Sequence, residues 1–285
     1  VIRALRLTVL AAGVAALAAA AEARPAQGGW LFTTFKGEAT PDAEQIYFGL
    51  SPDGFHWNAL NRANPVLVSA VGEKGVRDSY LVRARDGKKF YLLATDLSLN
   101  LSRNWARARR AGSQSIVIWE SDDLVKWSAP RLAKVAPDDA GCAWAPEAIY
   151  DDRAKNYLVY WASTTGRDHF AKQRIWSART TDFKEFSPPE IYIEKPANVI
   201  DTDIIRAGNG YYRFSKDDRN KDITMEAAGQ LAGPWTDVTG FTLDTPLATR
   251  QRLEGPEAFQ FAAATAENRE GGWCLLLDYP GRGYR

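Results

Sequence analysis

Residues 78–127 contain DSYLV (Asp78–Val82), a turn at Asp86-Gly87, FYLLAT (Phe90–Thr95), SIVIWE (Ser115–Glu120) and the closing segment SDDLVKW (Ser121–Trp127). The runs are short, bulky and β-prone, and turn residues punctuate them. The aromatic-rich run recurs as WLFTTF (Trp30–Phe35), YLVYWA (Tyr157–Ala162), YYRFSK (Tyr211–Lys216) and WCLLLD (Trp273–Asp278), with successive starts 60, 67, 54 and 62 residues apart. Self-similarity at a fixed period marks a repeat architecture. The other parts of the unit recur as well. SPDGFHW (Ser51–Trp57) shares S-x-D-x-x-x-W with Ser121–Trp127, and TTDFKEF (Thr180–Phe186) and LAGPW (Leu231–Trp235) are weaker copies. The Ser and Asp side chains can bond turn backbone while the closing aromatic packs under the hairpin.

A third feature precedes four of the five aromatic runs. It is an acidic residue followed by a short apolar stretch, at Asp78, Glu147, Asp201 and Glu254. Strand, turn, strand, loop, strand, turn, strand at this period is one four-stranded blade, and the fold class predicted is all-β, a five-bladed β-propeller. One blade cannot bury both faces alone, so residues 24–285 are expected to form a single ring-shaped domain. The two ends match the middle poorly: the first unit lacks the acidic strand and the last stops before its hairpin. The expectation is a last blade left incomplete by C-terminal truncation. NWARARR (Asn104–Arg110) reads as a basic surface loop, and Lys36–Ala43 as a polar hairpin loop.

Composition limits function. Net charge is +1 over 285 residues, so no strong field favours nucleic acid or an anionic membrane. Arg3 and Arg6, the apolar run 7–21 and the small-x-small site Ala21-Glu22-Ala23 read as a signal peptide over residues 1–23. That predicts a secreted or periplasmic bacterial protein with no membrane attachment after cleavage, and a monomer. Cys142 and Cys274 fall in separate units and are expected to stay free thiols. His56 and His169 are scattered, which argues against a transition-metal site; no cofactor is predicted, and a channel calcium ion is left open.

In a propeller the first strand of each blade lines the central channel, so acids remote in sequence should meet there. Several carboxyls around one funnel raise one another's pKa, an arrangement more often functional than decorative. Ten Trp and eleven Tyr supply flat faces with a polar edge, suited to sugar rings as well as to a β-rich core.

At these residues the chain resembles glycoside hydrolase family 43. VRDSYLV around Asp78 is similar to that family's opening catalytic blade. Trp144-Ala-Pro-Glu147 is similar to its W-A-P-D/E motif, Val199-Ile-Asp201 to its third-blade Asp, and Glu254-Gly-Pro256 to its E-G-P motif. They occur in family order, 69, 54 and 53 residues apart. The resemblance covers residues 30–285 and implies inverting hydrolysis of glycosidic bonds in oligosaccharides or polysaccharides, commonly of arabinose or xylose. It assigns Asp78 as general base, Asp201 as the residue that orients and tunes the acid, and Glu254 as general acid. Ser79 departs from the family's usual Pro after the base and should hold it less rigidly. Asp203 rivals Asp201, since plain alternation puts both on one face. Trp144 and Glu147 are candidate sugar contacts, Arg77 and Arg213 candidate partners of the acids, and His169 lies in a loop that could overhang the funnel. Ser51–Trp57 also resembles the Asp box of sialidases, but that box has one more residue before its Gly, and no arginine cluster for a sugar carboxylate is evident. The remaining alternatives are a β-xylosidase or galactofuranosidase of the same family, and a non-catalytic carbohydrate-binding propeller.

Overall fold

The computed structural model describes residues 29–217, 222–241, 243, 253–261, 272–279 and 283–284. The segment read as a signal peptide lies outside the described residues. The strands form five antiparallel sheets, each built from consecutive strands. The first blade holds β1 (Trp30–Thr34), β2 (Tyr47–Ser51) and β3 (Asn58–Ala59). The second holds β4 (Val76–Arg83), β5 (Phe90–Asp96), β6 (Ser115–Ser121) and β7 (Arg131–Lys134). The third holds β8 (Trp144–Asp151), β9 (Asn156–Ser163), β10 (Arg174–Thr180) and β11 (Glu190–Ile193). The fourth holds β12 (Val199–Ala207), β13 (Gly210–Asp217), β14 (Asp222–Ala228) and β15 (Thr236–Asp237). The fifth holds β16 (Glu254–Phe261), β17 (Gly272–Tyr279) and β18 (Gly283–Tyr284). This is the five-bladed propeller that the repeat spacing predicts, and each aromatic-rich run beyond the first is the second strand of its blade.

Apolar side chains fill the clefts between neighbouring blades. Ile46 and Phe48 of the first blade pack on Leu92 and Trp119 of the second. Leu93 and Ile118 meet Val159, Trp161 and Trp176 of the third. Leu158 and Tyr160 meet Ile204 and Tyr211 of the fourth. Phe214 and Ile223 meet Ala258 and Tyr279 of the fifth. Aromatic contacts join the fifth blade to the first: Trp30 lies 5.6 Å from Phe261, Phe55 5.0 Å from Phe261 and Phe32 5.1 Å from Tyr284, ring centre to ring centre.

The S-x-D hairpins act as their composition suggests. Ser51 Oγ accepts the Gly54 amide at 2.7 Å, and Asp53 Oδ1 accepts the Phe55 and His56 amides at 2.9 and 2.8 Å. Ser121 and Asp123 repeat the pattern, as do Thr180 and Asp182 in the weaker copy. The fourth residue of each copy is forced to positive φ, and it is Gly54 in one copy but Leu124 and Phe183 in the others. Phe183 has a packing reason: its buried ring wedges between Tyr91 of β5 and Tyr157 of β9, at 4.3 and 4.8 Å.

The segment read as a basic loop is instead helical. Helices α1 (Leu99–Ser102) and α2 (Trp105–Arg110) follow β5, and Ala108 of α2 is buried. Asn104 caps α2 by accepting the Arg107 amide at 2.9 Å, a local signal present in the sequence. Both cysteines are free thiols. Among the described residues no helix is long and apolar enough to cross a membrane.

Phe183→Ala should empty the wedge between the second and third blades and destabilise the fold by about 3–5 kcal/mol. Phe183→Leu should recover much of that loss. Urea unfolding of both variants checks it; equal, small losses would show that the wedge contributes little.

Candidate active site

The inner strands of the second to fifth blades all interrupt their ladders at the same level. In β4 two residues, Asp78 and Ser79, lie between the pairs Arg77↔Thr95 and Tyr80↔Leu93, where β5 supplies only one. The same bulge falls between Trp144 and Glu147, between Ile200 and Asp203, and between Glu254 and Glu257. Its first residue has positive φ in every case: 47° at Asp78, Ala145 and Asp201, and 55° at Gly255. A bulge bends a strand and re-aims its side chains. Holding a non-glycine residue at this φ costs on the order of 1–3 kcal/mol. At Gly255 a side chain would also meet the Tyr284 hydroxyl, since a Cβ there would sit 2.5 Å from it.

Superposing the four strands on their bulges gives two tiers. Asp78 and Asp201 occupy the bulge itself, and Glu254 stands one position earlier, before Gly255. Tyr80, Glu147, Asp203 and Glu257 stand two positions after it. Asp78, Asp201 and Glu254 line one cavity of about 180 Å³. Tyr80, Glu147 and Glu257 line it too, with Trp144 and Arg77. Asp203 is nearly fully buried and accepts the Ala258 amide at 2.8 Å.

Hydrogen bonds fix the upper tier. The Thr95 hydroxyl accepts the Ala145 amide at 2.8 Å and donates to Asp78 Oδ2 at 2.9 Å, tying the bulge of β8 to the carboxyl on β4. The Ser79 hydroxyl donates to Thr33 Oγ1 at 3.0 Å, and Thr33 Oγ1 donates to the Ser79 carbonyl at 3.2 Å. Ser79 therefore anchors its bulge to the first blade in place of a proline ring. Lys216, nearly buried on β13, donates to Glu254 Oε2. The Gly255 amide approaches Asp201 Oδ2 at 3.4 Å.

Burial and crowding shift these acids. Burial pushes Asp78 up; the Arg77 guanidinium and the Thr95 hydroxyl oppose that, and the charge of Glu254 adds to it. Asp201 is pushed up to about 7, first by burial and then by Glu254, with Lys216 opposing. In the lower tier burial raises Asp203 to about 7. Glu147 and Glu257 are raised well above the carboxylate range, by burial and by the charge of Asp203. The Tyr160 hydroxyl donates to Glu147 Oε2 at 2.9 Å.

Comparison with known proteins adds the family. Residues 26–285 match the family-43-related model described as a probable glycosyl hydrolase domain. The chain belongs to the family-43-related glycosyl hydrolases. An alpha-L-arabinofuranosidase of Bifidobacterium longum subsp. longum is 28% identical over 268 residues, covering 79% of this chain and 24% of the relative. The chain thus spans about a quarter of that curated relative's length. Among solved structures, an endo-1,4-beta-xylanase from Bacteroides thetaiotaomicron is similar with TM-score 0.63 at 14% identity, over 88% of this chain and 80% of the other. An endo-arabinase from the same species is similar with TM-score 0.59 at 13% identity, over 90% and 87%. At such identities the likeness is one of fold.

Two candidates in this family-43-related hydrolase fall elsewhere. Arg213 pairs with Glu226 at 2.8 Å and stacks over Trp235 at 4.4 Å, between the third and fourth blades. It lies three residues from Lys216 on the unbroken strand β13, and so on the opposite face. His169 is exposed after a short turn and does not line the cavity; an Arg174–Asp168 ion pair of 2.7 Å fixes its loop. Arg77 does line it, bonded to Glu38 at 3.2 Å and buried Glu44 at 3.4 Å, with Phe35 and Trp105 at 4.5 and 5.3 Å from its guanidinium carbon. The sequence reading missed Thr95, Lys216 and Asp278. All three end their aromatic-rich runs and pair with Arg77, Ile200 and Glu254, the last residues before each bulge. A polar residue closing an apolar run was the available signal. Among the described residues no group of three or more His, Cys, Asp or Glu is arranged to hold a metal ion.

The raised Asp201 makes a stability prediction. Its ordinary value is 3.8 and its folded value about 7, so the folded state holds this proton more tightly than the unfolded one. The associated stability is complete below the unfolded value and is lost as pH rises through about 7. Asp201→Asn cannot ionise, so its melting temperature should rise relative to wild type between pH 5 and pH 8. A difference independent of pH would place this carboxyl in an ordinary aqueous setting.

Proposed function

We propose that the chain is an inverting glycosidase that removes single terminal pentose residues, α-L-arabinofuranosyl units above all, from plant-type oligosaccharides or polysaccharides. The observation that carries this reading is the delivery of Asp78, Asp201 and Glu254, from three blades, to one cavity of about 180 Å³. That volume is below the roughly 300–1,000 Å³ of pockets for drug-sized ligands and suits one sugar ring. The curated relative's name favours arabinofuranose as the sugar.

Inversion needs an acid on one side of the scissile bond and a base-activated water on the other. Asp78 serves as the base. Arg77 and the Thr95 hydroxyl favour its carboxylate form, while burial raises its affinity for the proton taken from water. Glu254 donates a proton to the leaving oxygen. Asp201 stands in the same corner, where burial and the neighbouring Glu254 raise its pKa. Lys216 donates to the Glu254 carboxyl and holds it in place. Trp144 gives an aromatic wall, and Tyr80, Glu147 and Glu257 offer the floor of the cavity to sugar hydroxyls. We assign residues 24–285 to one catalytic domain acting outside the cytoplasm, after export, as a monomer.

Glu254→Gln tests the proton donor. Its kcat should fall about 10²–10⁴-fold on an alkyl arabinofuranoside, the scale of general acid catalysis, and far less on the 2,4-dinitrophenyl glycoside, whose leaving group needs no proton. Equal losses on both substrates would remove Glu254 from that role.

A further inference from the structure

The first blade brings no carboxyl to the site, yet its innermost strand stands between the base and the acid. β1 (WLFTT) pairs with β2 from Trp30↔Ser51 to Thr34↔Tyr47 without a bulge, so its side chains alternate plainly. Leu31 and Thr33 face the second blade. Leu31 packs on the cluster that holds Val76 and Leu92, and Thr33 meets β4. Trp30 and Phe32 face the fifth blade, Trp30 against Phe261 and Phe32 against Tyr284.

Each face touches one of the bulges that carry the base and the acid. On the second-blade face, Thr33 Oγ1 donates to the Ser79 carbonyl at 3.2 Å and accepts the Ser79 hydroxyl at 3.0 Å. Two bonds thus fasten the residue that follows Asp78. On the fifth-blade face, the Phe32 ring meets the Tyr284 ring edge-on, with centres 5.1 Å apart. Tyr284 lies opposite Asp278, and Asp278 opposite Glu254, in one row across the sheet. The Tyr284 hydroxyl fills the space that a Cβ at Gly255 would take, 2.5 Å from that position. Phe32 therefore backs the ring that presses on the residue after Glu254. Thr33, Ser79, Gly255 and Tyr284 all line the catalytic cavity beside Asp78 and Glu254.

We propose that β1 is the spacer that sets the separation of base and acid, with Thr33 as the positioning residue for Asp78 and Phe32, acting through Tyr284, as the positioning residue for Glu254. Inversion requires the two carboxyls to stand roughly 6.5–9.5 Å apart, so that a water fits between base and sugar. The bulges alone do not fix that distance, because β4 and β16 belong to separate sheets. A misplacement of about 1 Å at reacting groups can cost about 10²-fold in rate. This inference rests on the glycosidase reading above.

The test compares kcat and KM of wild type, Thr33→Val and Phe32→Leu on an alkyl and a 2,4-dinitrophenyl glycoside of the preferred pentose, arabinofuranose or xylose. Thr33→Val removes both hydrogen bonds at nearly constant volume. Its kcat should fall about tenfold on both substrates, because a displaced base slows attack by water whatever the leaving group. Phe32→Leu should lower kcat about tenfold on the alkyl glycoside and less than about twofold on the dinitrophenyl one, whose leaving group needs no proton. KM should stay within about twofold of wild type in both variants. Rescue separates positioning from a general loss of fold. Ser79→Pro fixes the bulge through its ring, so in that background Thr33→Val should cost less than about twofold. Ser79→Ala has already lost one of the two bonds, so Thr33→Val should cost less there than in wild type; this cycle decides if the proline variant misfolds. The same leaving-group dependence in Thr33→Val and Phe32→Leu, or a Thr33→Val cost undiminished in the Ser79 backgrounds, would overturn the spacer. A wild type that hydrolyses neither arabinofuranosides nor xylosides would instead overturn the glycosidase reading.

Discussion

A β-strand alternates its side chains, so residues three apart on a plain inner strand face opposite ways. The candidate site depends on suspending that rule four times. Each bulge sets two residues against one, so Arg77 and Tyr80, Trp144 and Glu147, Ile200 and Asp203, and Glu254 and Glu257 all come to share the channel side. The bulge residues themselves, turned by positive φ, become Asp78 and Asp201 at the cavity. In β16 the bulge residue is Gly255, pressed against Tyr284, and the carboxyl comes from the longer Glu254 before it. One backbone device, repeated around the ring, therefore produces three carboxyls that differ in position and reach.

The device is costly. Strained backbone and crowded acids both work against folding, and the lower tier adds Glu147, Asp203 and Glu257, all shifted upward by burial. The offsetting stability lies outside the channel, in the clefts between blades, where Trp119, Trp161 and Phe183 are fully buried. The propeller thus separates its tasks radially. The outer and middle strands supply apolar packing, and the inner strands are free to carry groups that a core would reject.

The blades were legible because each carries its own local chemistry. Aromatic runs recur in all five units, Ser or Thr with Asp closes the hairpins of the first three, and inner-strand acids stand at the head of four. The bulge hid the division into two tiers, although Glu147 and Asp203 were both singled out from the sequence. Reading by alternation grouped Asp201 with Asp203 and gave no reason to look at Glu257, three residues beyond Glu254. Arg213 was misplaced because nothing local says which face of β13 meets the channel; the pairing of Lys216 with Ile200 decides it. The helix at Trp105–Arg110 was hidden by its brevity, since one and a half turns show no period, and its stability comes from Ala108 and the Arg107–Glu73 pair. His169 sat in a loop whose direction is set by long-range contacts, among them the Arg174–Asp168 and Arg167–Asp139 pairs and the Gly166 amide on the Asp139 carbonyl.

The account stands on three remote carboxyls acting across one sugar ring with a water between base and anomeric carbon. Proton NMR of the first turnovers on an aryl arabinofuranoside reads that arrangement directly, because the newly released anomer appears before mutarotation. The account predicts that the inverted anomer accumulates first. First release of the retained anomer would mean a covalent intermediate on one of these carboxyls, and would contradict the roles assigned to Asp78 and Glu254.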